Sequence, residues 1–356
     1  MRISVVCITS RSGGGLTILQ SLLEYANGTD STINWQFILS DQEVDSSNGQ
    51  VEIVRACRSY NGWRSRIKAE LIIGRQAIKK FSPDIVLSLQ NTDTLARGKF
   101  PLAVYVQQAL PFQDSYRLSL FRKDERRLAW RQYLLRYPIL SAVRRAKFSF
   151  VQTEWLATAL RSAAPKSTVR CIGFDTSTQS GRVYPSVVQE NQFFYPASAS
   201  SYKNHALLHN AVQILRASET NSSIQVLLTI EQEAFQSLVG SNESQGFDFK
   251  GWMSREKVLE TFSNSILVFP SLVESLGLPL YEARNAGVWI VAPELPYARE
   301  ALNDYPFVAW FDPSDSNSLA TAMDSAWSAT RVERPRRAET AAGTNSWRQM
   351  LNALSS

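Results

Sequence analysis

Histidine is almost absent from this chain. Its 356 residues include only two, His205 and His209, so a hydrolase of the Ser-His-Asp kind would have to be built on one of them. Their i, i+4 spacing places both imidazoles on one helix face, which suits zinc. No acidic third ligand lies nearby in the sequence, so the pair reads as polarity on a helix surface and no metal is expected. The three cysteines, Cys7, Cys57 and Cys171, lack metal-type spacing and are odd in number; reduced thiols in a cytoplasmic protein are the simplest reading. No run of eighteen apolar residues occurs, which excludes a membrane-spanning helix. The apolar start, Met1 to Ser10, is too short for an export signal and reads as a first strand. Ser12-Gly-Gly-Gly15 is not Gly-x-Gly-x-x-Gly, so a dinucleotide fingerprint is missing and no cofactor is expected. No recognised nucleic-acid motif is present either.

The chain does carry a lopsided charge. Residues 1–180 hold 25 Lys+Arg against 14 Asp+Glu, a net of +11, whereas residues 181–356 hold 13 against 18, a net of −5. A basic first half calls for an anionic partner, such as a phospholipid surface or a lipid diphosphate. The densest basic stretch lies within 121–147, where Leu128, Trp130, Tyr133, Leu134 and Leu135 mix with arginines. That pattern predicts an amphipathic helix able to lie on an anionic membrane; the alternative is a helix whose arginines simply stay in water.

Strand-like and helix-like segments alternate along the whole length, which predicts an α/β protein with parallel sheets covered by helices. Strands are expected at 3–8, 35–39, 84–89, 102–107, 148–152 and 168–172, with Thr153 capping the helix that follows. A polar, aperiodic stretch then interrupts the pattern, and it restarts with strands at 192–195, 224–230, 247–250, 266–269, 288–291 and 307–311. The organisation expected is a domain at 1–174, a linker at 175–190, a second domain at 191–335 and a closing segment at 336–356. Ligands of such sheets bind at the carboxyl ends of the strands.

The most informative motif is Glu274-Ser-Leu-Gly-Leu-Pro-Leu-Tyr-Glu282. Two carboxylates bracket a glycine-containing loop that follows the apolar run Ile266–Phe269 and opens a helix. Pro279 fits a first helical turn, where its missing N–H would be unpaired anyway, and Gly277 allows close backbone approach. The amides of Leu276, Gly277 and Leu278 would face outward at a helix N-terminus, which suits a phosphate. Carboxylates on either side suit hydroxyl-rich groups, and sugar, diphosphate and ribose together make a nucleotide-sugar. Glu282 alone is also explained as a carboxylate favouring the helix dipole.

In this motif, with Tyr195-Pro-Ala-Ser-Ala-Ser-Ser-Tyr-Lys-Asn-His205, Phe249-Lys-Gly-Trp252 and Leu295-Pro-Tyr-Ala-Arg-Glu300, the chain resembles retaining glycosyltransferases of family 4 with the GT-B fold, of the bacterial surface-polysaccharide and O-antigen type. The resemblance covers Phe193 to about Asp312 and continues more weakly through Ser12–Gly15 and Val104–Phe112. It implies two Rossmann-like parallel-sheet domains facing a central cleft, with the closing segment returning to the first domain. The second domain would hold a nucleotide-diphosphate-sugar as co-substrate, through Ser198, Lys203, Gly251, Glu274, the 276–278 amides and Glu282. Gly14 and Gly15 would bring backbone amides to the diphosphate from the first domain. Lys203, Glu274 and Gln107 are the residues implied for catalysis, with Lys203 neutralising the leaving phosphate and Gln107 facing sugar or acceptor. Two positions depart from the family: Ala197 stands where an arginine is often found, and Gln107 lies near the place of a frequent histidine. No Asp-x-Asp dyad stands in a family-like position, in keeping with metal-independent chemistry.

The reading implied is a retaining, peripheral-membrane glycosyltransferase whose acceptor is a glycan, most simply a lipid-linked one at the inner membrane face. A nucleotide-sugar epimerase and a non-catalytic glycan- or partner-binding subunit remain as alternatives. Poverty of histidine counts against the first, and Ala197 with Gln107 gives the second some weight.

Overall fold

A computed structural model describes residues 1–10, 14–28, 32–46, 49–57, 63–113, 116–122, 125–173, 192–217, 223–330 and 346–355. The expected linker at 175–190, together with Ser12 and Gly13, lies outside these residues. The chain divides into two compact units: Met1–Phe112, Leu128–Phe174 and Thr344–Ser356 form one, and Gln113–Arg127 with Asp175–Gly343 form the other. Residues 113–127 thus depart from the unbroken 1–174 body expected from the sequence. One tie of that excursion is the Gln113 side-chain amide, which donates to Leu272 O at 3.2 Å.

The first unit is a seven-stranded parallel sheet of β1 (Arg2–Cys7), β2 (Asn34–Leu39), β3 (Val51–Arg55), β4 (Ile85–Ser88), β5 (Leu102–Tyr105), β6 (Phe148–Val151) and β7 (Val169–Cys171), in the order β3-β2-β1-β4-β5-β6-β7. Its inner strands are buried and mostly apolar because helices cover both faces, with Ser4, Gln36, Ser88 and Ser149 as the buried polar exceptions. Strand β3 was not anticipated: Val51-Glu-Ile-Val-Arg is short, polar at two positions and confined to the sheet edge, where it pairs with β2 alone. Helix α1 (Gly14–Gly28) buries Ile18, Leu19, Leu22, Leu23 and Ala26. A longer helical run comprises α2 (Trp63–Lys68), one stretch of π-helix (Ala69–Gly74) and α3 (Arg75–Phe81). The basic segment forms α4 (Arg126–Arg145), starting later than the expected Phe121 and containing Pro138. Thr153 precedes α5 (Glu154–Ala163) in extended backbone, but its side chain makes no capping hydrogen bond.

The second unit repeats the winding. Six parallel strands, β8 (Gln192–Tyr195), β9 (Gln225–Leu228), β10 (Phe247–Phe249), β11 (Ile266–Val268), β12 (Ile290–Pro293) and β13 (Val308–Phe311), run in the order β10-β9-β8-β11-β12-β13. Around them lie α6 (His205–Arg216), α7 (Gln232–Val239), α8 (Arg255–Phe262), α9 (Leu278–Ala286), α10 (Pro296–Ala301) and α11 (Ser316–Thr330). In both sheets the strand order reverses beside the first strand, between β1 and β4 and between β8 and β11. These are the topological switch points at which doubly wound sheets take their ligands.

The last helix, α12 (Ser346–Ser355), joins the core of the first unit, where Trp347, Met350, Leu351 and Leu354 pack with the β1, β2 and α1 side chains. Trp347 lies 5.7 Å from the Tyr105 ring and its Nε1 donates to Ser21 Oγ at 3.0 Å. Trp347→Ala is therefore expected to cost about 3–5 kcal/mol of stability through the cavity it leaves, and Ser21→Ala about 1 kcal/mol. Urea-induced unfolding of the variants against the parent checks both.

Candidate functional site

The site in the second unit grows from the carboxyl ends of β8 and β11. The chain leaving β8 runs through Ala197, Ser198 and Ser200 into a 3-10 turn, Ser201–Lys203, before α6. The chain leaving β11 runs through Phe269, Ser271 and Glu274 into α9. Leu272 N donates to Tyr202 O at 2.8 Å, which joins the two loops. Tyr195 OH donates to Lys203 O at 2.8 Å, and Tyr297 OH donates to Ser271 O. Both phenols are buried, and burial holds their pKa well above the ordinary tyrosine range. They therefore serve as fixed hydrogen-bond donors that brace the loops.

Across this joint Lys203 Nζ pairs directly with Glu274 Oε1. The two side chains are 14% and 16% exposed, so the pair is mostly shielded from bulk water without being sealed off. The ammonium also lies 5.8 Å from the centre of the Phe269 ring. The sequence expected both residues to bind ligand; the structure brings them together and makes each the other's resting partner.

Gly277 stands at the N-terminus of α9 with φ 71° and ψ 48°, the left-handed region that glycine occupies without strain. A Cβ there would come within 3.3 Å of both Leu280 and Tyr297, so a side chain would also crowd these neighbours. Pro279 sits in the first turn, as expected. Leu280 N is satisfied by Gly277 O at 2.8 Å; the amides of Gly277 and Leu278 come before the first intrahelical bonds and have no helical acceptor. They share a loop with Glu274.

Glu282 lies one turn further along α9. It is 7% exposed, and Arg255 Nη2 donates to its Oε1 at 3.0 Å. Burial raises its carboxyl to about 7 and the guanidinium pulls the other way. Arg255 was not singled out from the sequence, because an arginine at a helix start looks like any solvated surface cation. It ties the start of α8 to α9, and Gly251 sits just before that helix with the Glu231 carboxylate against it. Trp252 beside it is 85% exposed.

Ser198 is exposed; its carbonyl accepts from His205 Nε2 at 3.1 Å. The two histidines correct the sequence reading, since neither forms surface polarity. His205 and His209 are 2% and 7% exposed and pack around Phe235. Burial lowers His205 to about 4, with Lys203 adding in the same direction, so it is neutral and braces the Ser198 turn. No group of three metal-ligating side chains occurs among the described residues. Ala197 is buried, with its N–H on Thr229 Oγ1 at 3.0 Å.

In the first unit, Gly15 lies in the first turn of α1, after β1. A Cβ on it would lie 2.7 Å from Ser10 Oγ, so glycine is what allows the Ser10 side chain its close approach, while Gln107 Nε2, at 3.6 Å, would be in ordinary contact. Gln107, at the end of β5, donates its N–H to Asn91 Oδ1 at 2.7 Å and its Nε2 to Leu89 O at 3.4 Å. Gly14 is exposed, and no described residue comes within 4 Å of where its Cβ would lie.

Residues 178–343 match the family model described as Glycosyl transferases group 1. No curated protein matches the chain by sequence. Among solved structures, sucrose-phosphate synthase from Thermosynechococcus elongatus superposes with a TM-score of 0.71 at 15% identity, covering 99% of this chain and 94% of that one. The lipopolysaccharide outer core galactosyltransferase WaaB gives 0.65 at 13% identity over 99% and 100%. A UDP-GlcNAc 2-epimerase from Methanocaldococcus jannaschii gives 0.57 at 13% identity over 100% and 99%. The chain has a GT-B fold, and most of its second unit matches the glycosyl transferases group 1 model.

Proposed function

We propose that this protein is a retaining glycosyltransferase that moves a sugar from a nucleoside-diphosphate-sugar to a glycan acceptor without a metal. The observation that carries the reading is the Lys203–Glu274 pair beside the Gly277 turn of α9, at the β8/β11 switch point. The diphosphate sits against the Gly277 and Leu278 amides, where the positive end of the helix dipole favours it. Lys203 exchanges Glu274 for a phosphate oxygen. The released Glu274 carboxylate accepts from hydroxyls of the transferred sugar, and Glu282 accepts from the ribose. Charge grows on the leaving diphosphate, so the lysine and the amides act where the transition state needs them. The acceptor attacks on the face the diphosphate leaves, and a departing phosphate oxygen takes its proton. A side-chain amide such as that of Gln107 binds hydroxyls but is no base at neutral pH.

The acceptor we assign is a lipid-linked glycan of bacterial surface-polysaccharide synthesis of the O-antigen type. Its membrane-side binding falls to the basic first half, with the 121–147 region against an anionic surface at the inner membrane face. The epimerase reading draws on the shared fold alone, and incubation with nucleotide-sugar in the absence of acceptor separates the two: a changed sugar configuration in the recovered donor rejects transfer.

Lys203→Ala is expected to lower kcat by about 10²–10³-fold, and Glu282→Ala to raise the donor KM about 10-fold. Steady-state kinetics with UDP-, GDP- and dTDP-sugars measures both, and unchanged constants in the two variants reject the assignment. Donor binding carries a pH signature as well. Burial raises Glu282 to about 7, and the ionised carboxylate accepts from ribose hydroxyls better than the acid does. Affinity is therefore expected to strengthen as pH rises from about 6 to about 8, and Glu282→Gln to flatten that rise in calorimetric titrations.

A further inference from the structure

The first unit contains a cavity of about 620 Å³ that the transfer reading does not use. Arg66 and Arg75 of the α2–α3 run, Arg97 of the loop after β4, and Arg145 of α4 line it. Two carboxylates face these four guanidinium groups. Glu70, 1% exposed, spends its oxygens inward on Arg66 Nε at 2.7 Å, Gln90 Nε2 at 3.0 Å, Thr94 Oγ1 at 2.9 Å and Leu95 N at 2.6 Å. Asp93 takes both arms of Arg97, at 2.7 and 3.1 Å, and Arg145 at 3.5 Å. Arg75 has no acceptor among the described residues. The cavity therefore keeps an excess of two positive charges, one of them uncommitted, arranged as planar donors that suit phosphate oxygens.

Apolar side chains share the lining. Leu95, Leu135 and Pro138 line the cavity. On α4, Trp130, Tyr133, Leu134 and Tyr137 are exposed, Tyr137 by 72%. On the α2–α3 run, Ile67, Leu71, Ile72 and Ile73 are exposed too. So much aliphatic and aromatic surface on two helices that meet at one basic cavity marks an interaction site. A free phosphate would not need it, and a nucleic acid would not reward exposed isoleucines. An amphiphile with an anionic head satisfies both halves of the surface.

We propose that this cavity seats the phosphate of an anionic membrane phospholipid, with the exposed side chains of α4 and the α2–α3 run entering the boundary between headgroups and acyl chains. This rests on the membrane partner proposed above and places its contact at Arg75 and Arg145. Each basic residue at an anionic surface contributes about 1 kcal/mol. Arg75→Ala with Arg145→Ala is therefore expected to weaken partitioning about 30-fold, read by flotation with phosphatidylcholine vesicles containing phosphatidylglycerol. Lys79→Ala with Lys80→Ala, exposed cations of the same unit that do not line the cavity, should weaken it far less, and Tyr137→Ser should weaken it without any change of charge. Equal binding of the parent to vesicles of phosphatidylcholine alone overturns the anionic partner itself. Equal loss in the two double variants leaves that partner standing but overturns the cavity as its seat. Thermal unfolding of each variant separates misfolding from lost binding.

Discussion

A lysine and a glutamate from two different loops neutralise one another at the mouth of the second sheet, and the rest of that site is arranged around them. At their depth either charge alone would be costly, because removing one partner leaves an ion with little water and no counter-charge. Held together they are tolerated, and the pair fixes the loop after β8 against the loop after β11. In the proposed reading, a diphosphate would offer Lys203 a stronger acceptor and leave Glu274 to hydroxyls, so the resting contact would be the one that binding exchanges. The support beneath it is rigid. Tyr195 and Tyr297 donate to the backbone carbonyls of Lys203 and Ser271, neutral His205 holds the Ser198 turn, and Leu272 N closes the joint.

The geometry repeats because the winding repeats. Each sheet reverses its strand order beside its first strand, which opens a crevice at the carboxyl ends of β1 and β4 and again of β8 and β11. In the first unit the crevice is furnished with Gly15, Gln107 and a network of neutral amides. In the second it is furnished with charge and a helix N-terminus. The first sheet thus supplies hydrogen bonding without strong electrostatics, as suits hydroxyl-bearing groups, and the second supplies the field a phosphate needs.

Much of this was readable in the residues themselves. Alternating apolar strands and amphipathic helices announced a doubly wound α/β chain, and Gly277 with Pro279 marked the start of α9, because left-handed backbone favours glycine and a first helical turn accommodates proline. What escaped notice depended on distant neighbours. The histidine pair looked like surface polarity because nothing local shows that Phe235 and Phe247 will enclose it. Arg255 could not be told from a solvated arginine until α8 was placed against α9. Strand β3 has too weak an alternation to stand out, and only pairing with β2 makes it a strand. The excursion of 113–127 shares its basic composition with the helix that follows, so nothing local sets it apart; one tie is an amide of Gln113 that finds Leu272 far along the chain.

The helix α12 carries a further consequence. Its Trp347 and Met350 complete a core whose other walls, from β1, β2 and α1, emerge from the ribosome more than three hundred residues earlier. Throughout synthesis of the second unit, that apolar seam stays uncovered, and it closes only when the chain has been read through to α12.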